Sequence, residues 1–362
     1  MTQTIVLTTG GSGGHIFPAQ SVAAELIKKG HKVVFITDNR GNAFQDLPNV
    51  TTYHLMAESV TGRSLFGKIK ALFKLWLGAG QAMRLLIKLK PALVVGFGGY
   101  ASLPTLISAQ MLRIPIVLHE QNAILGRANR IATRGVRMIA TSFPHVDRIP
   151  KNIPSIHVGQ PVRAPILEKN AAPFPNNDAF NILIFGGSQG AHFFSEKLPE
   201  ALMLLTPEQR AKIVLTQQAR PEDEEMVKKA YENAGFQSLT IAPFFKNMPE
   251  LLTNANLIIG RGGAGTLTEV MVVGRPSIII PLPSAADNHQ YANAKQLEEA
   301  HAGWVIEQKE FDAHNLAERI TTLMNNPDQL KEVATKAHDL AIINAAERMA
   351  DMIDDLVKGK TK

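Results

Sequence analysis

Two stretches of the chain, about 175 residues apart, open in the same way. Ile5-Val6-Leu7-Thr8-Thr9 runs into Gly10-Gly11-Ser12-Gly13-Gly14, and Asn181-Ile182-Leu183-Ile184-Phe185 runs into Gly186-Gly187-Ser188-Gln189-Gly190. Each is an apolar run, then a turn too rich in glycine for either regular element, then an apolar spacing that suits a helix. Such an opening needs a parallel sheet to bury the strand and helices to cover the sheet. Further short apolar runs predict strands at 31–36, 93–95, 116–118, 138–140 and 156–158 in the first half. In the second half they fall at 213–215, 239–241, 257–259, 277–280 and 304–306. Short strands alternating with helices specify an α/β chain of two doubly wound domains.

Composition supports two cores, with 362 residues of which 45% are hydrophobic. There is no cysteine, which excludes disulfides and thiolate chemistry and fits the cytosol. The net charge of +6 suits an anionic partner without identifying one. The first residues carry no basic-then-apolar leader, so no signal peptide is expected. No uncharged apolar run reaches the ~20 residues of a membrane span. Lys169-Asn170-Ala171-Ala172-Pro173-Phe174-Pro175-Asn176-Asn177 reads as a linker. The predicted division is 1–168, a linker at 169–178, a second domain at 179–340, and a helix at 341–362 free to pack back on the first domain.

The candidate chemistry lies at turns. Leu257-Ile258-Ile259 leads through Gly260-Arg261-Gly262-Gly263 into a helix from Ala264. A strand that turns on glycines into a helix presents backbone N–H groups and a positive dipole end, which suits a phosphate or sugar. Glu269 could accept from a vicinal diol such as a ribose; the alternative is a tight connection with a solvated Glu. The first glycine loop is not a dinucleotide fingerprint, because Ile16 stands where the third Gly belongs, and no Gly-Lys-Ser/Thr makes it a P-loop. His15 at the helix start could act as a base or hold an anion, or simply face water. Gly96-Phe97-Gly98-Gly99-Tyr100 and His119-Glu120-Gln121-Asn122 also close strands. Ligands of open parallel sheets bind beyond the carboxyl ends of the strands. Glu120 and Asn122 have helix capping as their alternative. The acidic run 222–225 fits a first helical turn and is assigned no chemistry.

Residues 60–90 are different. Leu65, Phe66, Ile69, Leu72, Phe73, Leu75, Trp76 and Leu77 are interleaved with Lys and Arg, and no acidic residue intervenes. That composition suits a basic amphipathic surface on anionic lipid. An ordinary helix with a basic outer face is the alternative. Gly78 and Gly80 are expected to break the helix.

Together these motifs carry a resemblance. Gly10-Gly11-Ser12-Gly13-Gly14-His15-Ile16-Phe17-Pro18, Gly98-Gly99-Tyr100, His119-Glu120-Gln121-Asn122, Gly159-Gln160-Pro161-Val162-Arg163, Gly186-Gly187-Ser188-Gln189-Gly190, the turn at 260–269, and His289-Gln290 with Asn293 stand in the order of one family. The chain resembles the bacterial undecaprenyl-diphospho-muramoylpentapeptide N-acetylglucosaminyltransferases, the MurG family, over nearly its whole length. The resemblance implies an α/β GT-B fold, two Rossmann-like domains facing across a cleft. The amino-terminal domain would hold lipid I at the membrane and the carboxyl-terminal domain UDP-N-acetylglucosamine. The product would be lipid II for peptidoglycan, with roles in cell shape and division at the cytoplasmic face of the inner membrane. Proteins of a cell-wall synthesis complex are possible partners. Ser12, Gly13 and Gly14 would line the cleft, Asn122 and Arg163 contact the donor, and Ser188 bind a phosphate. Phe245 would offer backbone groups to uracil. Ala264, Gly265, Thr266, Leu267 and Thr268 would meet sugar and pyrophosphate, Glu269 the ribose, and Gln290 the sugar hydroxyls. The turn departs from the family at Gly262-Gly263 and at Gly265, which predicts a more flexible turn.

Inversion from an α-linked donor to a β product needs a base and a stabilised diphosphate. No Asp-x-Asp pair is present, so no metal or other cofactor is expected in the chemical step. His15 is the expected base, with an ordinary pKa of about 6.5, and Glu120 the alternative. In this frame Leu72, Phe73, Lys74 and Trp76 become a peripheral membrane patch. The rivals are a soluble UDP-N-acetylglucosamine 2-epimerase and a non-catalytic membrane scaffold. Nucleic acid is a poor fit, because the basic residues concentrate on one apolar stretch.

Overall fold

The computed structural model describes residues 2–10, 13–38, 50–56, 65–176, 178–187 and 190–360, with side chains from 73 onward in the stretch that begins at 65. Ser12, Ser188 and the side chain of Leu72 therefore lie outside the described residues. The chain forms two compact units, one of residues 1–163 with 342–362 and one of residues 164–341.

The first unit is built on seven parallel strands: β1 (Thr4–Thr8), β2 (Lys32–Thr37), β3 (Thr51–His54), β4 (Leu93–Gly96), β5 (Ile116–Glu120), β6 (Val136–Thr141) and β7 (Ser155–His157). Their order is β3-β2-β1-β4-β5-β6-β7, so the winding reverses between β1 and β4. Alternate residues of β1 feed two cores. Ile5 and Leu7 pack with α1 (Gly13–Lys28) and α14 (Ala345–Val357), while Val6 packs with α2 (Leu65–Leu89) and α3 (Leu103–Met111). Central strands buried on both faces read as unbroken apolar runs, which is why the sequence predicts them.

The second unit repeats the plan with six parallel strands: β8 (Phe180–Phe185), β9 (Ile213–Gln218), β10 (Ser238–Ala242), β11 (Leu257–Gly260), β12 (Ser277–Ile279) and β13 (Trp304–Val305). The order is β10-β9-β8-β11-β12-β13, and the reversal falls between β8 and β11. Phe194, Leu198 and Leu202 of α6 (His192–Met203) and Leu316 and Ile320 of α12 (Ala313–Met324) fill one face. On α10 (Ala264–Val273) lies α13 (Pro327–Asp339).

Two expectations are corrected. The change of unit falls between Arg163 and Ala164, not at 168, because α5 (Ala164–Leu167) packs on α10. The stretch read as a linker is tied along the second unit. Buried Arg275 donates to Ala172 O at 3.0 Å and Pro173 O at 2.9 Å, and His338 pairs with Asn170 at 2.9 Å. At the far boundary the chain rejoins the first unit at Ile342. There α14 packs on α1, with Asp354 on His31 at 2.9 Å.

The second correction concerns α2, which runs unbroken through Gly78 and Gly80. A Cβ on Gly78 would stand 2.1 Å from Met56 O, so the glycine admits a neighbouring backbone rather than ending the helix. The acidic run lies where the sequence places it, with Glu224 and Glu225 in the first turn of α8 (Glu224–Ala230); Asp223, just before it, is held by Arg220 and His192.

Candidate active site

In the first unit the loops after β1 and β4 touch at the switch point. Gly10 N–H donates to Gly98 O at 3.1 Å, and a Cβ on Gly99 would stand 2.9 Å from Gly10 Cα. Gly98 and Gly99 have φ of 83° and 77°, a region open to glycine. Over this crossing lies His15, in the first turn of α1; a Cβ on Gly98 would stand 3.3 Å from its Cε1. Gly13 and Gly14 begin α1, and the Cβ position of Gly14 lies 3.9 Å from Gln121 Oε1. Arg163 reaches the same helix, its guanidinium 4.9 Å above the Phe17 ring. His15, Gly13, Gly14 and Arg163 thus gather at one helix start.

The end of β5 is a buried polar network. Ser142 Oγ donates to Gln160 Oε1 at 2.6 Å and lies 3.1 Å from His119 Nε2. The hydroxyl has one proton, so His119 Nε2 is the donor in that pair. Burial lowers the His119 pKa to about 4, and the ring is neutral.

Glu120 is 2% exposed. It accepts from the N–H of Asn122 at 2.9 Å, the N–H of Gly126 at 2.8 Å and Asn129 Nδ2 at 2.8 Å. Burial pushes its pKa up while these donors pull it down, and the net direction is upward. Its oxygens are occupied by the loop it organises. Glu120 tethers residues 121–126 and anchors Asn122, which is half-buried beside it.

In the second unit, Gly262 follows β11 and is bracketed. Its N–H donates to Gln290 Oε1 at 3.1 Å and its carbonyl accepts from Asn293 Nδ2 at 2.9 Å. Gln290 Oε1 also accepts from Leu282 N–H at 3.0 Å, which leaves its amide N–H groups as donors. A Cβ on Gly262 would stand 2.3 Å from Gln290 O. At Gly262 the turn is therefore closely packed. Gly263 caps α10 with no side-chain partner, so no side-chain cap engages the first helical N–H groups, at 264–266. Thr266 and Glu269 are half-exposed. Leu267 is fully buried, and buried Thr268 donates its hydroxyl to Ala264 O at 2.9 Å, so these two support the turn from inside. Gly265 opens onto space. Phe245 is half-buried in the loop after β10. Gln218 joins that loop to the β8 loop, accepting from Gly186 N–H and donating to Pro243 O, both at 3.0 Å.

Sequence reasoning assigned nothing to Arg261. Its buried guanidinium donates to Ile280 O at 2.9 Å, Pro281 O at 3.2 Å and Gln308 Oε1 at 3.0 Å, and lies 4.6 Å above the Phe194 ring. Burial lowers its pKa to about 10, which leaves it a cation at neutral pH. It locks the glycine turn in place rather than meeting a phosphate. Cavities of about 540 and 610 Å³ flank α12 and contain none of these residues.

Two parallel Rossmann-like units, each with glycine loops at its switch point, define the GT-B fold. Residues 5–141 match the glycosyltransferase family 28 N-terminal domain and residues 181–356 its C-terminal domain. The chain is 44% identical to the UDP-N-acetylglucosamine–N-acetylmuramyl-(pentapeptide) pyrophosphoryl-undecaprenol N-acetylglucosamine transferase of Rhodospirillum rubrum, over 96% of this chain and 91% of that one. Among solved structures it is similar to Acinetobacter baumannii MurG, with 31% identity, a TM-score of 0.79, and 98% and 99% of the two chains covered. The Neisseria meningitidis UDP-GlcNAc 2-epimerase, at 15% identity and a TM-score of 0.69 over 98% and 100% of the chains, shares the fold. The chain belongs to the MurG family of glycosyltransferases.

Proposed function

We propose that the chain moves N-acetylglucosamine from UDP-N-acetylglucosamine to the 4-hydroxyl of the N-acetylmuramoyl unit of lipid I, giving lipid II with inversion. The observation that carries this reading is the bracketed turn at Gly262, with uncapped N–H groups at 264–266 beside the donors of Gln290. Fixed donors of this kind meet developing diphosphate charge without reorganising. The second unit binds the donor, with Glu269 at the ribose, Phe245 at the uracil, Gln290 at sugar hydroxyls and Ser188 at a phosphate. The first unit takes the acceptor. His15 removes the hydroxyl proton as the bond to the anomeric carbon forms and UDP departs, and Asn122 and Arg163 contact the donor. Roles in cell shape and division, with proteins of the cell-wall synthesis complex as partners, belong to the same reading.

Among the described residues no helix is long and apolar enough to cross a membrane. On α2, Phe73 is 64% exposed, Trp76 78% and Leu77 44%, with Lys74 half-exposed between them and Arg84 and Lys88 exposed beyond. We read this stripe as the peripheral contact with anionic lipid at the cytoplasmic face of the inner membrane. Equal sedimentation with anionic vesicles by wild type and a Phe73, Lys74 and Trp76 triple-alanine variant would sink it.

UDP release from UDP-N-acetylglucosamine, with and without a lipid I analogue and in chelator, tests the reaction. Release that requires the analogue is expected. Release without it points instead to epimerase or hydrolase chemistry. Release restored only by magnesium keeps the transferase and overturns the assignment of diphosphate charge to N–H groups alone.

A further inference from the structure

Beside the glycine loop that follows β8, three charged side chains interlock. Asp223, 4% exposed, stands in the loop before α8. Its Oδ2 accepts from Arg220 Nε at 2.8 Å, and its Oδ1 lies 3.3 Å from Arg220 Nη2 and 2.8 Å from His192 Nδ1. The stem of Arg220 packs on Gly190, where a Cβ would stand 2.7 Å from Arg220 Cγ and where φ is 66°. One residue thus closes the far end of the loop and also fixes the carboxylate that aims His192. At the near end of the loop, Gly187 faces open space.

Ion pairs on a protein surface contribute little by default. This pair differs because the carboxylate is buried and forked onto an arginine, so its position is set before the imidazole arrives. The His192 side chain is 54% exposed, and with Nδ1 on Asp223 its Nε2 is the polar atom left to meet a ligand. Among the described residues that atom has no hydrogen-bond partner, and the ring is bound only to Asp223.

We propose that His192 contacts the diphosphate of the bound sugar nucleotide through Nε2, with Asp223 as the residue that positions it. The proposal rests on the reading of this unit as the donor-binding one. Both ring nitrogens then act as donors, one to Asp223 and one to a phosphate oxygen. The chemistry recognised is that of a nucleoside diphosphate, and a nucleoside without phosphate gains nothing from this contact.

Calorimetric titration of the full chain with UDP and, separately, with uridine tests this. His192→Ala is expected to weaken UDP about tenfold, the scale of one charge-assisted hydrogen bond at a partly exposed site. Uridine affinity is expected to stay within about twofold. His192→Arg places an N–H donor at the same position and is expected to recover most of the UDP affinity. Asp223→Asn weakens UDP by a smaller factor in the wild-type background and adds nothing in the His192→Ala background, because it acts through the imidazole. In turnover, KM for the donor rises and kcat is little changed. Equal UDP affinity in wild type and His192→Ala overturns the proposal. So does an equal loss for UDP and uridine, which would mean that the loop itself was damaged. A wild-type chain that binds no UDP overturns the reading of the unit and this assignment with it.

Discussion

The carboxyl edges of the two sheets share a topology and differ in chemistry. At the edge of the first unit the groups that matter are titratable side chains, His15 over the glycine crossing and the buried pair His119 and Glu120. At the switch point of the second unit they are backbone N–H groups and amides, fixed by Arg261, Gln290 and Asn293. A duplicated fold has therefore been used in two ways. On the proposed reading, one edge moves a proton and the other holds charge that never changes protonation. If that division is right, substitutions at the two edges should fail in different kinetic parameters.

The largest effect is expected at His15. Replacing it with alanine should lower kcat by about 10²–10⁴-fold, the range for loss of a positioned general base. KM for the donor should barely move. A donor KM that rises as steeply as kcat falls would make His15 a binding residue and erase the contrast. Next comes Gly262→Ala. The new methyl would stand 2.3 Å from Gln290 O, so turn and helix must separate. Displacements near 1 Å at a positioned site cost about 100-fold. The loss should appear in kcat/KM for the donor, with no change in the pH profile. An unchanged donor parameter would mean that the bracketed turn does not hold the diphosphate.

The third effect separates the edges by pH. The His119 pKa falls from its ordinary 6.5 to about 4 because the ring is buried. The unfolded chain takes up the proton more readily than the folded one. The stabilisation is therefore complete above about pH 6.5 and is lost as pH falls toward 4, by about 2 kcal/mol between pH 7 and pH 5. Glu120 runs the other way, since its raised pKa makes the folded state lose stability as pH rises through it. Comparing wild type with His119→Gln isolates the histidine, because glutamine can keep a donor near Ser142. Native-state hydrogen exchange should show the acid-dependent loss at amides of β5 and β6 and not at β8 and β11. The same slope in both sheets would break the comparison.

What could be read from the sequence follows the physics of burial. The central strands were legible because parallel strands covered on both faces have no polar alternation to confuse. β3 was not, because Thr51-Thr52-Tyr53-His54 lies at the sheet edge with no residue fully buried. His15 and the turn at Gly262 were legible as residue types at strand ends. The role of Glu120 was not, since it depends on Gly126 and Asn129 folding back over it. Arg261 shows the same limit. The sequence assigns it no role, and only the carbonyls of Ile280 and Pro281 reveal what its donors engage.

The smallest expected effect is the most discriminating for the second edge. Gly265 stands in the first turn of α10, and a Cβ there meets nothing within 4 Å. Gly265→Ala removes backbone entropy from the unfolded chain without a clash, so stability should hold or rise by roughly 0.5 kcal/mol. The N–H group remains. If backbone donors alone hold the diphosphate, the donor KM should stay within about threefold, in contrast to Gly262→Ala only three positions earlier. A rise beyond about tenfold, at unchanged stability, would mean that the body of the sugar lies against the Gly265 Cα. The second edge would then read shape as well as charge.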